Sequence, residues 1–373
     1  MDLIALTREL CDLSGPSGHE IHVARAIIGH ARALGARPEV DPLGNVAVVV
    51  PGAGRGPALL LSAHMDEVGF VVRRIEDSGY LRVERVGGAD QRTLPAQPVW
   101  VHTSSGDLLP GHFGTKTGHL AGWGDADRTR VVPYDELYVD IGVADGDTVR
   151  RMGVLEGNAV GWSVATRSYD TPTGRFIVGK SFDDRAGCAL QLALLEHLRQ
   201  HPPAGDVILL FSVQEEVGVW GAEAAAQRWL TRYPATDPEG RPPVVALALD
   251  QTAVADIPDV RGGLLALGGG PAIKLLDHWL IPQAGVVRGL ERSAARAGIG
   301  VQREVLRSIG TDGGPLSRAG GPVATGVLSI PSRYSHSPAE MVSESDLRGC
   351  LRVLEAFTAD LPEMDLRPWG PLS

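Results

Sequence analysis

Apolar residues recur along the chain in successive regimes, and each change of regime marks a change of element type. Ser17-Gly18-His19-Glu20 reads as a capping box, with Ser17 as the N-cap and Glu20 three residues on. The helix it predicts carries Val23, Ala26, Ile27 and Leu34 on one face and stops at Gly35. Two apolar runs follow, at 46–50 and 59–61, each bounded by turn residues and each a predicted strand. Between 70 and 162 short alternating stretches (81–83, 99–102, 137–141 and 160–164) are separated by Gly, Asp and Pro. That texture predicts a small, partly closed β-barrel. Beyond Gly179 the two periods alternate: helix 185–199, strand 207–213, helix 222–229, strand 244–249, helix 284–297, strands 301–306 and 325–330, helix 344–358. The expected fold class is α/β: a mostly parallel, helix-covered sheet with an inserted barrel-like β-domain. Residues 1–69 and 167–373 would make one discontinuous domain and 70–166 the insert; no internal repeat is visible.

Composition narrows the partners. A chain of 373 residues with 43% hydrophobic and 21% charged residues can bury a substantial core. A formal charge of −10 without a basic run disfavours nucleic acid and anionic membrane, and no apolar run could span a bilayer. The segment from Met1 to Cys11 lacks a secretion pattern, and Cys11, Cys188 and Cys350 lack metal or disulfide spacing, so a cytoplasmic protein is expected. Lysine occurs only at Lys116, Lys180 and Lys274, which leaves few amines for covalent catalysis.

Four places put acids or histidines just past a predicted strand: His64-Met65-Asp66, Glu215-Glu216, Asp250 and His336. A fifth, Asp183-Asp184-Arg185, opens a helix. Taken singly, each has an ordinary explanation as a solvated acid, a helix-dipole complement or a turn acceptor. Together they occupy the carboxyl edge of an α/β sheet, where ligands collect. Two histidines and several carboxylates without cysteine suit Zn, Co or Mn rather than a structural thiolate site. Two metals need one bridging carboxylate and two terminal ligands each, which five side chains supply. A sixth carboxylate then remains for proton transfer in hydrolysis.

The runs Ala63-His64-Met65-Asp66-Glu67-Val68-Gly69-Phe70, Ser181-Phe182-Asp183-Asp184-Arg185-Ala186-Gly187 and Val213-Gln214-Glu215-Glu216-Val217-Gly218 carry a resemblance. With Asp250-Gln251-Thr252 and Arg333-Tyr334-Ser335-His336-Ser337-Pro338, they resemble metallopeptidase family 42, the tetrahedral, glutamyl-aminopeptidase-like dinuclear metal aminopeptidases. The resemblance implies a zinc-peptidase-type sheet holding two divalent ions (Zn, Co or Mn). Asp183 would bridge them, His64 and Asp250 would complete one metal, and Glu216 and His336 the other. Glu215 would be the general base for a metal-bridging water, and Asp66 would hold the His64 imidazole in the right tautomer. The implied substrates are short peptides trimmed from the N-terminus. The insert would be a lid and assembly domain of a homo-oligomer, a hollow dodecamer; a lid that departs from the family pattern at 116–125 adds the expectation of a dimer as intermediate. Two departures stand out: Gln251 replaces a short aliphatic residue, and the lid stretch 116–125 lacks the usual prolines. Thr311-Asp312 is a candidate wall of the specificity pocket. The alternatives are a related metal deacylase or carboxypeptidase, a glycosidase using paired acids, and a non-catalytic scaffold.

Overall fold

In a computed structural model, which describes residues 1–116, 119, 130–233, 244–260, 263–319, 321–367 and 369, two helices open the chain: α1 (Leu3–Asp12) and α2 (Ile21–Ala33). Strands β1 (Glu39–Val40), β2 (Val46–Val50) and β3 (Ala58–His64) follow. Then come β4 (Gly69–Ile75), β5 (Leu81–Val86), β6 (Pro98–His102), β7 (Leu108–Phe113), β8 (Tyr138–Asp140), the short helix α3 (Gly146–Arg151) and β9 (Ala159–Trp162). The hairpin β10 (Arg167–Thr171) and β11 (Gly174–Gly179) leads to α4 (Phe182–Gln200), β12 (Val207–Ser212), α5 (Trp220–Trp229) and β13 (Val244–Ala253). The chain ends with β14 (Ala272–Leu276), α6 (Ala284–Ala297), β15 (Gln302–Val305), α7 (Gly313–Leu316), β16 (Ala324–Arg333), β17 (Glu340–Ser343) and α8 (Glu344–Asp360). Apart from Lys116 and His119, the lid stretch 116–125 lies outside the described residues.

The main sheet runs β1-β2-β12-β3-β13-β16-β17-β11-β10, with β14 against β16 and β15 beyond it. Its centre, β12-β3-β13-β16, is parallel, as the alternation of helix and strand predicts. The flanks are antiparallel, so the sheet is mixed rather than mostly parallel. The physical reason is connection length: β1–β2 and β10–β11 are hairpins, which need no helical crossover and therefore pair antiparallel. The central strands are apolar on both faces because helices cover both. Leu59, Leu61, Leu209, Phe211, Leu247 and Leu249 pack towards α1, α4, α6 and α8, while Leu60, Ile208, Leu210 and Ala246 pack towards α5 and α7. Burial at about 1.5–3 kcal/mol for each large side chain is what holds the sheet edge rigid under the site.

The alternating segment folds as a barrel, and it is fully closed rather than partly closed, because β4 pairs with both β5 and β9. Closure satisfies the edge backbone groups of a short-stranded sheet. Phe70, Val83, Val101, Phe113, Val139, Val160 and Trp162 fill its interior. The barrel sits close on the main body: a Cβ on Gly69 would meet Pro16 at 2.9 Å.

The capping box at Ser17 does not form. Helix α2 begins at Ile21, with Glu20 in the N-cap place and no side-chain cap bond. Ser17 Oγ instead donates to Asp66 Oδ2 at 2.6 Å, and Glu20 Oε1 accepts from Gly18 N and Gln214 N. A charge-assisted bond to a buried carboxylate outweighs a neutral helix cap. The helix end at Gly35 is as expected, with the glycine at φ +74°.

Candidate metal centre

The parallel centre of the sheet delivers the acids and histidines to one edge. His64 is the last residue of β3, and Glu215 stands three residues beyond β12, with Glu216 next to it. Asp250 lies inside β13, which runs on to Ala253, rather than past its end. His336 stands three residues beyond β16, and Asp183 lies in the first turn of α4 with non-helical dihedrals and a cis peptide to Asp184. Gln214 and His336 both have positive φ, 56° and 60°. Each unusual conformation is held by its own N–H, to Glu20 and to Glu340 respectively.

Asp183 is the hub. Its Oδ1 lies 3.0 Å from His64 Nε2 and its Oδ2 lies 3.3 Å from His336 Nε2. On the His64 side, Asp250 Oδ1 is 4.0 Å from the same Nε2. On the other side, Glu216 Oε1 is 3.4 Å from His336 Nε2. Among the described residues, donor atoms of His64, Asp183 and Glu216 lie within 4.8 Å of one another, close enough to share an ion. Glu216 Oε1 is buried and, beyond facing His336, makes no hydrogen bond among the described residues, which leaves it open to a cation.

Buried acids position these groups. Asp66 is fully buried and accepts from Glu215 N at 3.0 Å and Glu216 N at 3.2 Å, while its Oδ1 lies 3.5 Å from His64 Nδ1. One carboxylate thus ties two strand ends together. Glu340, which the sequence reading missed, accepts from Asp183 N at 3.2 Å and His336 N at 3.0 Å. Its only signal in the sequence is an acid four residues after His336. Asp184 accepts from His64 N at 3.3 Å and from Gly187 N at 3.1 Å. Beneath the cluster, Glu67 accepts from Lys180 Nζ at 2.9 Å and from Gly15 N at 2.8 Å.

The cluster holds more negative charge than its histidines balance. Burial disfavours charge on His64, yet its bonds to Asp183 and Asp66 raise its pKa well above the usual value. For His336 burial is likewise outweighed, by Glu216 and Asp183, and its pKa is pushed up to about 12. Asp183 falls well below the ordinary carboxylate range despite its burial, because both histidines face it. Glu215 and Asp250 move the other way, raised by burial and by neighbouring carboxylates, with His64 offsetting part. Four carboxylates against two histidines is the charge pattern that divalent cations neutralise.

The centre opens into a cavity of about 770 Å³. Asp183, Glu215, Glu216, Asp250 and His336 form part of its lining, with Trp279, Ile309 and Gly310 from the sheet side and Arg85, Arg92 and Tyr134 from the barrel. Thr311-Asp312 is not a wall of it: both are buried, and Asp312 Oδ2 accepts from Ser62 and Ser212 at 2.6 Å each. Gly88 permits the close approach of barrel and centre, because a Cβ there would lie 3.0 Å from His336 Nδ1.

Known proteins are similar to this chain along almost its whole length. Aminopeptidase APDkam598 of the archaeon Desulfurococcus kamchatkensis superposes with a TM-score of 0.86 at 33% identity, over 97% of this chain and 96% of that one. The TET1 peptidase of Pyrococcus horikoshii, which can assemble into a tetrahedron or a large octahedral shell, gives a TM-score of 0.82 at 29% identity, over 96% and 100%. The lysyl aminopeptidase of Pyrococcus furiosus is 28% identical over 371 residues, 97% of this chain and 99% of the relative. The family model described as M42 glutamyl aminopeptidase matches residues 44–353. With that match spanning most of its length and the acid-histidine cluster inside it, the chain belongs to the M42 glutamyl aminopeptidase family.

Proposed function

We propose that this chain is a dinuclear metallo-aminopeptidase that releases N-terminal residues from short peptides. The observation that carries the reading is the split of Asp183, whose two oxygens face two separate His-carboxylate pairs. His64 and Asp250 would hold one divalent ion, Glu216 and His336 the other, and Asp183 would bridge them. The donor set of nitrogens and oxygens fits Zn, Co or Mn. Such ions supply a water made acidic enough to attack at neutral pH and an electrophile for the scissile carbonyl.

The chain's own residues do the rest. Glu215 lines the cavity and belongs to no ligand pair, so it is the group free to take a proton from water and return it to the leaving amine. Burial lifts its pKa, which suits a group that must both accept and release a proton. Asp66 fixes the Glu215 and Glu216 backbones and faces His64 Nδ1, keeping Nε2 directed at Asp183. The segment 70–166 would serve as lid and assembly domain of a homo-oligomer, a dodecamer built through dimers, as the shells formed by the Pyrococcus horikoshii relative suggest.

Chelation should abolish hydrolysis of aminoacyl-p-nitroanilides, and N-acylated analogues should be inert. Glu215→Gln should keep its metal and lose about 10²–10⁴-fold in kcat, whereas Glu216→Gln should lose metal. Metal content measured beside kinetics decides, and full turnover by a verified metal-free sample would refute the reading.

A further inference from the structure

Two barrel arginines reach the cavity, and among the described residues only Arg92 has a carboxylate partner. Arg92 donates from Nε to both oxygens of Asp90, at 2.9 and 3.0 Å. Arg85 has no carboxylate partner among the described residues; its guanidinium lies 5.1 Å from the centroid of the Tyr134 ring. Tyr134 is itself fixed, its hydroxyl donating to the Ala89 carbonyl. Strand parity explains the placement. Leu81 and Val83 point into the barrel core, and Arg85 continues the same alternate row past the end of that core, where it faces the cavity. It also borders the metal centre. Two residues on, a Cβ on Gly87 would lie 3.3 Å from Glu216 Cβ, and the Gly88 carbonyl sits 3.3 Å from His336 Nδ1.

A cation–π contact steadies a guanidinium without using its N–H groups, which remain for a bidentate acceptor. The ligand that matches is a carboxylate. We propose that Arg85 is the docking cation for a carboxylate of the substrate, selecting short peptides that bring one to the cavity mouth. The proposal rests on the aminopeptidase reading above. The carboxylate has two sources, the free C-terminus of a short peptide or an acidic side chain, and both present the same chemistry.

The test compares kcat/KM within two substrate pairs: Ala-Ala-Ala against its C-terminal amide, and Ala-Glu-Ala-amide against Ala-Gln-Ala-amide. Arg85→Gln should lower the acid-to-neutral ratio about tenfold, the size of one charge-assisted bond, mostly through KM. Arg85→Lys should retain part of the ratio, since it keeps charge but not the fork. Arg92→Gln makes the same change in net charge from a guanidinium already held by Asp90, and should leave the ratio alone. The pair that responds names the source, and a response in either supports the proposal. Ratios that Arg85→Gln does not move, or that Arg92→Gln moves equally, overturn it. Calorimetric binding of the same peptides with a reduced first bond reads the ratio without turnover. A chain that binds with the expected ratio yet cleaves none of them refutes the aminopeptidase reading and leaves Arg85 standing.

Discussion

Glu340→Gln separates the demands of metal binding from those of stability. Glu340 uses both oxygens, one on His336 N and one on Asp183 N, so it sets the distance between two proposed ligands from different parts of the chain. Glutamine keeps one acceptor and turns an NH₂ towards the other N–H, which costs about 1–3 kcal/mol for a buried donor left unpaired. Against that, burial and the negative charge of Asp183 push the Glu340 carboxyl up to about 8 from an ordinary 4.5. An acid with a raised folded pKa contributes stability fully below 4.5 that is lost as pH rises towards 8. At about 1.4 kcal/mol per pH unit, ionisation by pH 7 costs the metal-free chain roughly 3 kcal/mol, and glutamine escapes that cost. The two effects are of similar size and opposite sign. Urea unfolding of the metal-free variant at pH 7 should therefore give nearly the wild-type midpoint, and its decline between pH 5 and 8 should be shallower than that of the wild type by the Glu340 contribution. Metal titration should show the opposite picture, with affinity on the His336 side down about 10–100-fold, the usual effect of losing an outer-shell partner. Unchanged affinity for both metals, or a metal-free variant that fails to fold, would refute the reasoning.

Glu20→Gln should raise stability above pH 7 and do little at pH 5. Burial, reinforced by Asp66, lifts the Glu20 carboxyl to about 7, so wild-type stability falls as pH rises from 4.5 towards that value. Both hydrogen bonds to Glu20 end on Oε1, so the glutamine carbonyl can keep them. The gain should approach about 3 kcal/mol in thermal melts at pH 8, and a gap independent of pH would contradict the assignment. Light scattering should give a mass near twelve chains, with dimers as the smaller species; a strict monomer would remove the assembly role proposed for segment 70–166.

The helices and central strands were legible because period and turn chemistry are short-range properties: helix Ala284–Ala297 and strand Val46–Val50 carry their own periods and stops. The cluster was legible because each member lies near the carboxyl end of a strand or opens a helix, and a parallel sheet aligns such positions at one edge. Non-local pairing was not legible. Ser17 and Glu20 look like a helix cap, yet a carboxylate 49 residues away takes the serine and a backbone N–H 194 residues away takes the glutamate. The mixed sheet and the closure of the barrel depend on which edges meet, which strand periodicity alone does not encode. Glu340 and Asp312 acquired their places only when segments 157 and 250 residues distant arrived beside them. Sequence by itself determined which residues could do the chemistry. Tertiary structure decided which buried acids hold them still, because a buried carboxylate goes wherever unpaired N–H and O–H donors converge, and that convergence exists only in the folded chain.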